Sequence, residues 1–369
     1  MRLISMDALK EGMILGRTIW NEAGHPLLKK GVVINERIIS RLQQLHTHYL
    51  YIDDEFSKGI EVEDTVPPII RNKAIETIRN SFQALNGLNV GSASYVLDQQ
   101  SKAINSIIEE LLSVITGNSE ILTVLSDAFL FDEYLYQHSF QVTLYSIAIG
   151  KELGHSAEDL RLIGIGALLH DIGKIMVPKD IITKPGRLTP DEFEIMKMHT
   201  RYGFDILRNL HSISLLVAHC AFQHHERIDG SGYPRGLVDF EIHPFAKIIG
   251  VADVFDAVTT NRVYREKMLP SQGLAIIEAG SGTLFNARIV NALKKAVVHY
   301  PNGVILKLTD GRRGIVSKQN PEKPMHPWIR IFEENNQLIP ATYEINLGDT
   351  PTVCIEKVET DYIVESKPE

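Results

Sequence analysis

Between residues 101 and 116 the sequence reads SKAINSIIEELLSVIT, and Ile104, Ile107, Ile108, Leu111, Leu112 and Ile115 recur at the spacing of one helix face. An apolar stripe of that width needs a partner surface, so the helical segment 69–120 is expected to transmit a signal or to dimerise. Helical periodicity continues, with interruptions, to about residue 299. Its boundaries are legible. Gly154 ends one helix and Ser156 caps the next, while TPDE puts an N-cap at Thr189, Pro190 at the first helical position and Glu192 where a capping box needs it. The central region is therefore all-helical.

The flanks differ. Residues 1 to about 60 mix the β-like runs MILGRTIW and HYLYIDD with one helical segment, NERIISRLQQL, and a turn at NEAGHPL. The acidic EVEDTVPPII after them suits a linker, because the paired Pro67 and Pro68 disfavour helix. From about Tyr300 the pattern becomes β-type in GVILKL, GIVSKQ, PWIRIF and PTVCIEKV, with TDGRR between the first two, which reads as a small barrel or meander. With 369 residues the chain exceeds what one core usually organises. The expected division is a small α+β module at 1–62, a linker and connecting helices at 63–120, an all-helical domain at 121–299 and a small β-rich module at 300–369. The fold class is mainly α.

A net charge of -8 provides no overall positive field for long nucleic acid, so a phosphate ligand must be gripped locally. Cys220 and Cys354 each lie in an apolar run and read as buried free thiols of a reducing compartment. Charges at Asp7, Lys10 and Glu11 interrupt what a signal peptide would need, and no run reaches the roughly 18 apolar residues of a membrane span. A cytoplasmic protein is expected.

Histidines and carboxylates inside apolar helices carry the chemistry. In LLHDIGK, His170 and Asp171 are adjacent, so one cation could take the imidazole while the carboxylate leans to a second; a polar helix end with a glycine cap is the plainer alternative. His224 and His225 come after the apolar helix SISLLVAHCAF, where two imidazoles are costly to desolvate without partners. His138 in YQHSF, His199 in MKMHT and Asp253 in GVADVF are polar residues among apolar neighbours. Asp253 calls for a cation, either a metal or some arginine.

Taken in order, HDIGK, HHERIDGSGYP and VADVFDAVTTNRVYR resemble the HD-GYP family, a subgroup of the HD phosphohydrolases whose members hydrolyse the bacterial messenger cyclic di-GMP; the likeness runs from about residue 125 to 299. It implies an all-helical HD-type domain with two divalent metal ions, iron or manganese. By this resemblance His138, His170, Asp171 and Asp253 hold one ion and His199, His224 and His225 the other, with Asp171 bridging. Lys174 matches a lysine that reaches a phosphate oxygen, Tyr233 the tyrosine beside the substrate, and Arg262 and Arg265 the basic positions facing the phosphates. Glycines 230 and 232 then let the chain turn and come close to a ligand. Some members hold a third ion through a Glu where this chain has Tyr134, with Glu133 one residue off, so a binuclear site is expected.

The reaction implied is attack by a metal-activated water on phosphorus, opening cyclic di-GMP to pGpG, with GMP as a further product left open. Two alternatives stay open: a non-catalytic sensor of cyclic di-GMP or metal that signals through a partner, and a hydrolase of another cyclic dinucleotide. His155, His211, His219 and Asp256 match no family position and read as structural. A homodimer, with the helical segment 69–120 as its candidate surface, is the further partner expected.

Overall fold

The computed structural model describes residues 1–20, 26–45, 47–62, 65–117, 134–184, 186–260 and 268–363. They belong to two compact units, one from the described residues of Met1–Glu63 and Val298–Glu369, the other from those of Asp64–Val124 and Phe131–Val297.

In the first unit, β1 (Arg2–Ser5), β2 (Ile14–Leu15) and β5 (Tyr49–Asp53) form an antiparallel sheet in the order β1-β5-β2, beside a hairpin of β3 (Ile19–Trp20) and β4 (Pro26–Leu28). The helix α1 (Glu36–Gln44) starts where the Asn35 side chain accepts the Ile38 N–H at 2.9 Å. Most of the turn at NEAGHPL lies outside the described residues. The C-terminal segment adds β6 (Ile305–Leu308), β7 (Arg313–Lys318), β8 (Trp328–Glu334), β9 (Gln337–Asn346) and β10 (Ile355–Glu359), an antiparallel sheet in the order β10-β6-β7-β8-β9. The two ends of the chain are stitched together: Leu3 N–H donates to Gly303 O and Ser5 N–H to Thr360 O, both at 2.8 Å, and Ile60 shares a core with Ile305, Ile315 and Phe332. Cys354 is exposed, against the expectation of a buried thiol; it directly precedes β10, an edge strand whose first residues are themselves partly or fully exposed. Cys220 is buried.

The second unit is helical. Pro68 opens α2 (Pro68–Gln83), which corrects the linker reading of the paired prolines: at the first helical position the fixed φ suits a helix and the missing N–H leaves no bond unmade. Every stripe residue of α3 (Val90–Gly117) from Ile104 to Ile115 is buried, packed in one core with residues of the later helices. The stripe's partner surface is therefore intramolecular, and none of these six residues is left for a second copy of the chain. These helices are α4 (Tyr134–Glu152), α5 (Ala157–Leu169), α6 (Lys179–Ile182), α7 (Pro190–Leu207), α8 (Leu215–Gln223), α9 (Pro244–Thr259), α10 (Pro270–Ala279) and α11 (Ala287–Ala296). Ser156 caps α5, and Thr189 with Glu192 completes the capping box of α7, as the sequence predicts. Among the described residues no helix is long and apolar enough to cross a membrane.

Candidate metal centre

Helix ends bring the polar residues together. His170 is the C-cap of α5, and Asp171 leads into a 3₁₀ turn at Ile172–Met176. That turn lies directly on α7: a Cβ at Gly173 would stand 1.9 Å from His199 O and 2.4 Å from Gly203 N, so only glycine allows the approach. His224 caps α8 in the same way, with His225 next in the chain. His138 comes from α4, His199 from α7 and Asp253 from α9.

Donor atoms of His138, His170 and Asp171 lie within 4.8 Å of one another, as do those of Asp171, His199, His224 and His225. Asp171 is common to both sets. Its Oδ1 is 3.3 Å from His199 Nε2 and its Oδ2 3.3 Å from His170 Nε2 and 3.6 Å from His138 Nε2. Asp253 lies across them, with Oδ1 3.2 Å from His138 Nε2 and Oδ2 3.6 Å from His225 Nδ1. His225 is half-buried, while the other imidazoles and both carboxylates are buried.

The hydrogen bonds around the cluster settle which ring nitrogens face inward. His170 Nδ1 donates to Ala167 O at 2.6 Å, His199 Nδ1 to Met196 O at 2.7 Å and His224 Nδ1 to Ala221 O at 2.9 Å. Each backbone carbonyl fixes a tautomer whose Nε2 carries a lone pair. The Nε2 atoms of His199 and His224 then oppose each other at 3.4 Å with no proton between them, while His170 Nε2 and Asp171 Oδ1 are buried without a hydrogen bond. Lone pairs and a carboxylate oxygen converging without donors is an arrangement that divalent cations satisfy. The residues fit two such ions.

Electrostatics agree. Burial holds His224 and His225 well below the ordinary imidazole value and lowers His199 to about 4, so all three are neutral at pH 7, the form that ligates. Burial also works against Asp171, but the adjacent Lys174 ammonium and His170 outweigh it and hold the carboxyl well below its usual range. His138 departs from its fellows: burial would lower it, yet Asp253 and Asp256 push it up to about 9.

Asp256 is the residue that sequence reasoning passed over. It is fully buried, accepts from His138 Nδ1 at 2.7 Å and from Thr260 Oγ1 at 2.9 Å, and so aims His138 Nε2 at the centre. Its position three residues after Asp253, on the same face of α9, was the signal available. Lys174 sits with its ammonium on Asp171 Oδ2.

The loop after His225 is held tightly. Both oxygens of buried Glu226 accept backbone N–H groups, from Arg235 at 2.8 Å and Leu237 at 2.9 Å. Gly230 takes a positive φ of 83°, as a sharp turn requires. Gly232 is confined by the chain's own backbone: a Cβ there would meet Arg227 N at 2.3 Å and His225 O at 2.5 Å. The loop lays the Tyr233 ring on His225, with centroids 4.6 Å apart at 28°. Arg262, Arg265 and Glu133 lie outside the described residues, as does the Tyr134 side chain, so the phosphate-facing arginines and the third-ion question fall there.

The family model of the HD domain matches residues 124–289, which contain all of these side chains. This chain is an HD-domain protein. A cyclic di-GMP phosphodiesterase of Pseudomonas aeruginosa is 28% identical over 100% of this chain and 92% of its own length. A cyclic di-GMP phosphodiesterase of Thermotoga maritima is 38% identical, with 66% of this chain and 65% of the relative aligned. A 3′3′-cGAMP-specific phosphodiesterase of Vibrio cholerae is 30% identical over 80% of this chain and 64% of its own. The HD-domain protein thus spans a little under two thirds of the latter two relatives.

Proposed function

We propose that this HD-domain protein belongs to the HD-GYP group and hydrolyses a phosphodiester bond of a cyclic dinucleotide, with cyclic di-GMP as substrate and pGpG as first product. The observation that carries the reading is the buried convergence of donor-less Nε2 atoms on both sides of Asp171. His138, His170, Asp171 and Asp253 hold one cation, and His199, His224 and His225 with Asp171 the other. Iron or manganese suits this mixture of imidazole and carboxylate. Two such ions, when bound, neutralise charge on the phosphate and acidify a water.

The chain's own groups do the rest. The Lys174 ammonium, beside Asp171, would meet a non-bridging phosphate oxygen, and Tyr233, stacked on His225, would wall the site. Asp256 holds the His138 Nδ1 proton and keeps the ring in register. Arg262 and Arg265 would add charge toward the phosphates. Two free thiols fit a reducing compartment such as the cytoplasm.

A second reading, 3′3′-cGAMP as the preferred substrate, is favoured by the Vibrio cholerae relative. Incubation of metal-loaded protein with cyclic di-GMP, 3′3′-cGAMP and ordinary nucleotides separates the cases. Release of pGpG from cyclic di-GMP is expected; faster cleavage of 3′3′-cGAMP would change the substrate. Tight binding without turnover of any of them would overturn hydrolysis in favour of a sensor.

A further inference from the structure

The rings of this site do not stop at the metal ligands. Phe193 and Lys197 stand four residues apart on α7 and share one face of it. Phe193 is 46% exposed, and its ring meets that of Tyr233 edge-on at 6.0 Å and 80°. Tyr233 in turn is stacked on His225. The Lys197 ammonium lies 5.4 Å from the Phe193 centroid and 5.8 Å from that of Tyr233.

A single exposed apolar side chain needs no explanation. Here an exposed ring continues a series that begins on a metal-centre imidazole, and a cation spans its two outer members. Such a surface suits a flat ligand with a π-face and a nearby negative charge. Both belong to a nucleotide, whose base stacks on aromatic rings whatever its hydrogen-bonding edge.

We infer that Phe193, Tyr233 and Lys197 form the platform for one purine base of the cyclic dinucleotide, with Lys197 facing that nucleotide's phosphate; this rests on the function proposed above. The base lies against Phe193 while the other side of the ring system stays anchored on His225. Lys197 now pairs with Glu194 at 2.6 Å, but that carboxylate is 69% exposed, and a pair at the surface gives way to a phosphate easily.

The test uses the full metal-loaded chain and steady-state kinetics on cyclic di-GMP and 3′3′-cGAMP. Phe193→Ala is expected to raise KM about tenfold with kcat within about twofold of wild type, the effect of losing one stacked base. Phe193→Tyr should restore KM, Phe193→Leu should not, and metal content and melting temperature should be unchanged in all three. An unaltered KM in Phe193→Ala, or full rescue by Leu, would sink the platform alone. Wild-type protein that carries its metals yet neither binds nor cleaves a cyclic dinucleotide takes down both the platform and the functional reading.

Discussion

Each unit of this protein buries carboxylates, and the two do so in opposite ways. In the β-rich unit Arg313 Nε bonds Glu359 at 2.8 Å while its Nη1 reaches Glu333 and Asn336; the Tyr362 hydroxyl closes the remaining Glu333 oxygen. The guanidinium also lies over the Tyr362 ring at 5.1 Å. Charge is balanced by a group that cannot leave. In the helical unit Asp171 Oδ2 carries the Lys174 ammonium, but Asp171 Oδ1 and His170 Nε2 are buried without a hydrogen bond, and three of the imidazoles around them are held neutral by burial. A permanent counter-ion makes a structural joint, whereas neutral donors around an acid leave room for an exchangeable cation.

Breaking each arrangement should give a different signature. Asp171→Asn removes the shared carboxylate, and activity should fall by about a thousandfold or more together with loss of bound metal, checked by elemental analysis beside turnover. Arg313→Met strands two buried carboxylates and should cost about 3 kcal/mol in urea denaturation while leaving metal content intact. Trp20 and Trp328, the only tryptophans, are both in that unit, so their fluorescence reports its unfolding. Asp256→Asn keeps the shape but loses the charge behind His138, and metal affinity should weaken about 10- to 100-fold by competition with a chelator.

The smallest effect is that of pH on the metal-free protein. His199, His224 and His225 have folded values below the ordinary 6.5, so their contribution is present above that pH and is lost as pH falls below it, through about 4 for His199. His138, raised to about 9, acts in reverse: its contribution is complete below 6.5 and disappears as pH rises through 9. Three groups oppose one, so chelated protein should melt at a lower temperature at pH 5 than at pH 7. An unchanged melting temperature would place the imidazoles in contact with solvent.

The legible part of the chain owed its legibility to periodicity and to cost. The stripe of α3 and the caps at Ser156 and Thr189 are local signals, and the structure keeps them. Buried histidines at helix ends stood out because polar groups there are expensive without partners. Features that depend on distant chain were hidden. β9 was missed because it is an edge strand that carries Pro340 and faces solvent along most of its length, so it lacks apolar alternation. Pro68 reads equally well as a helix breaker and as a helix start, and only the packing of residues 69–83 decides. Asp256 looked surplus because its partner, His138, is 118 residues away.

The bonds from Leu3 to Gly303 and from Ser5 to Thr360 have a consequence for biosynthesis. As the polypeptide leaves the ribosome, its first strands emerge long before the segment that must complete their unit, whereas the helices between need no such wait. A nascent chain interrupted before residue 300 would lack the five strands that complete the β-rich unit, while the described helices α2 to α11 would already have been made.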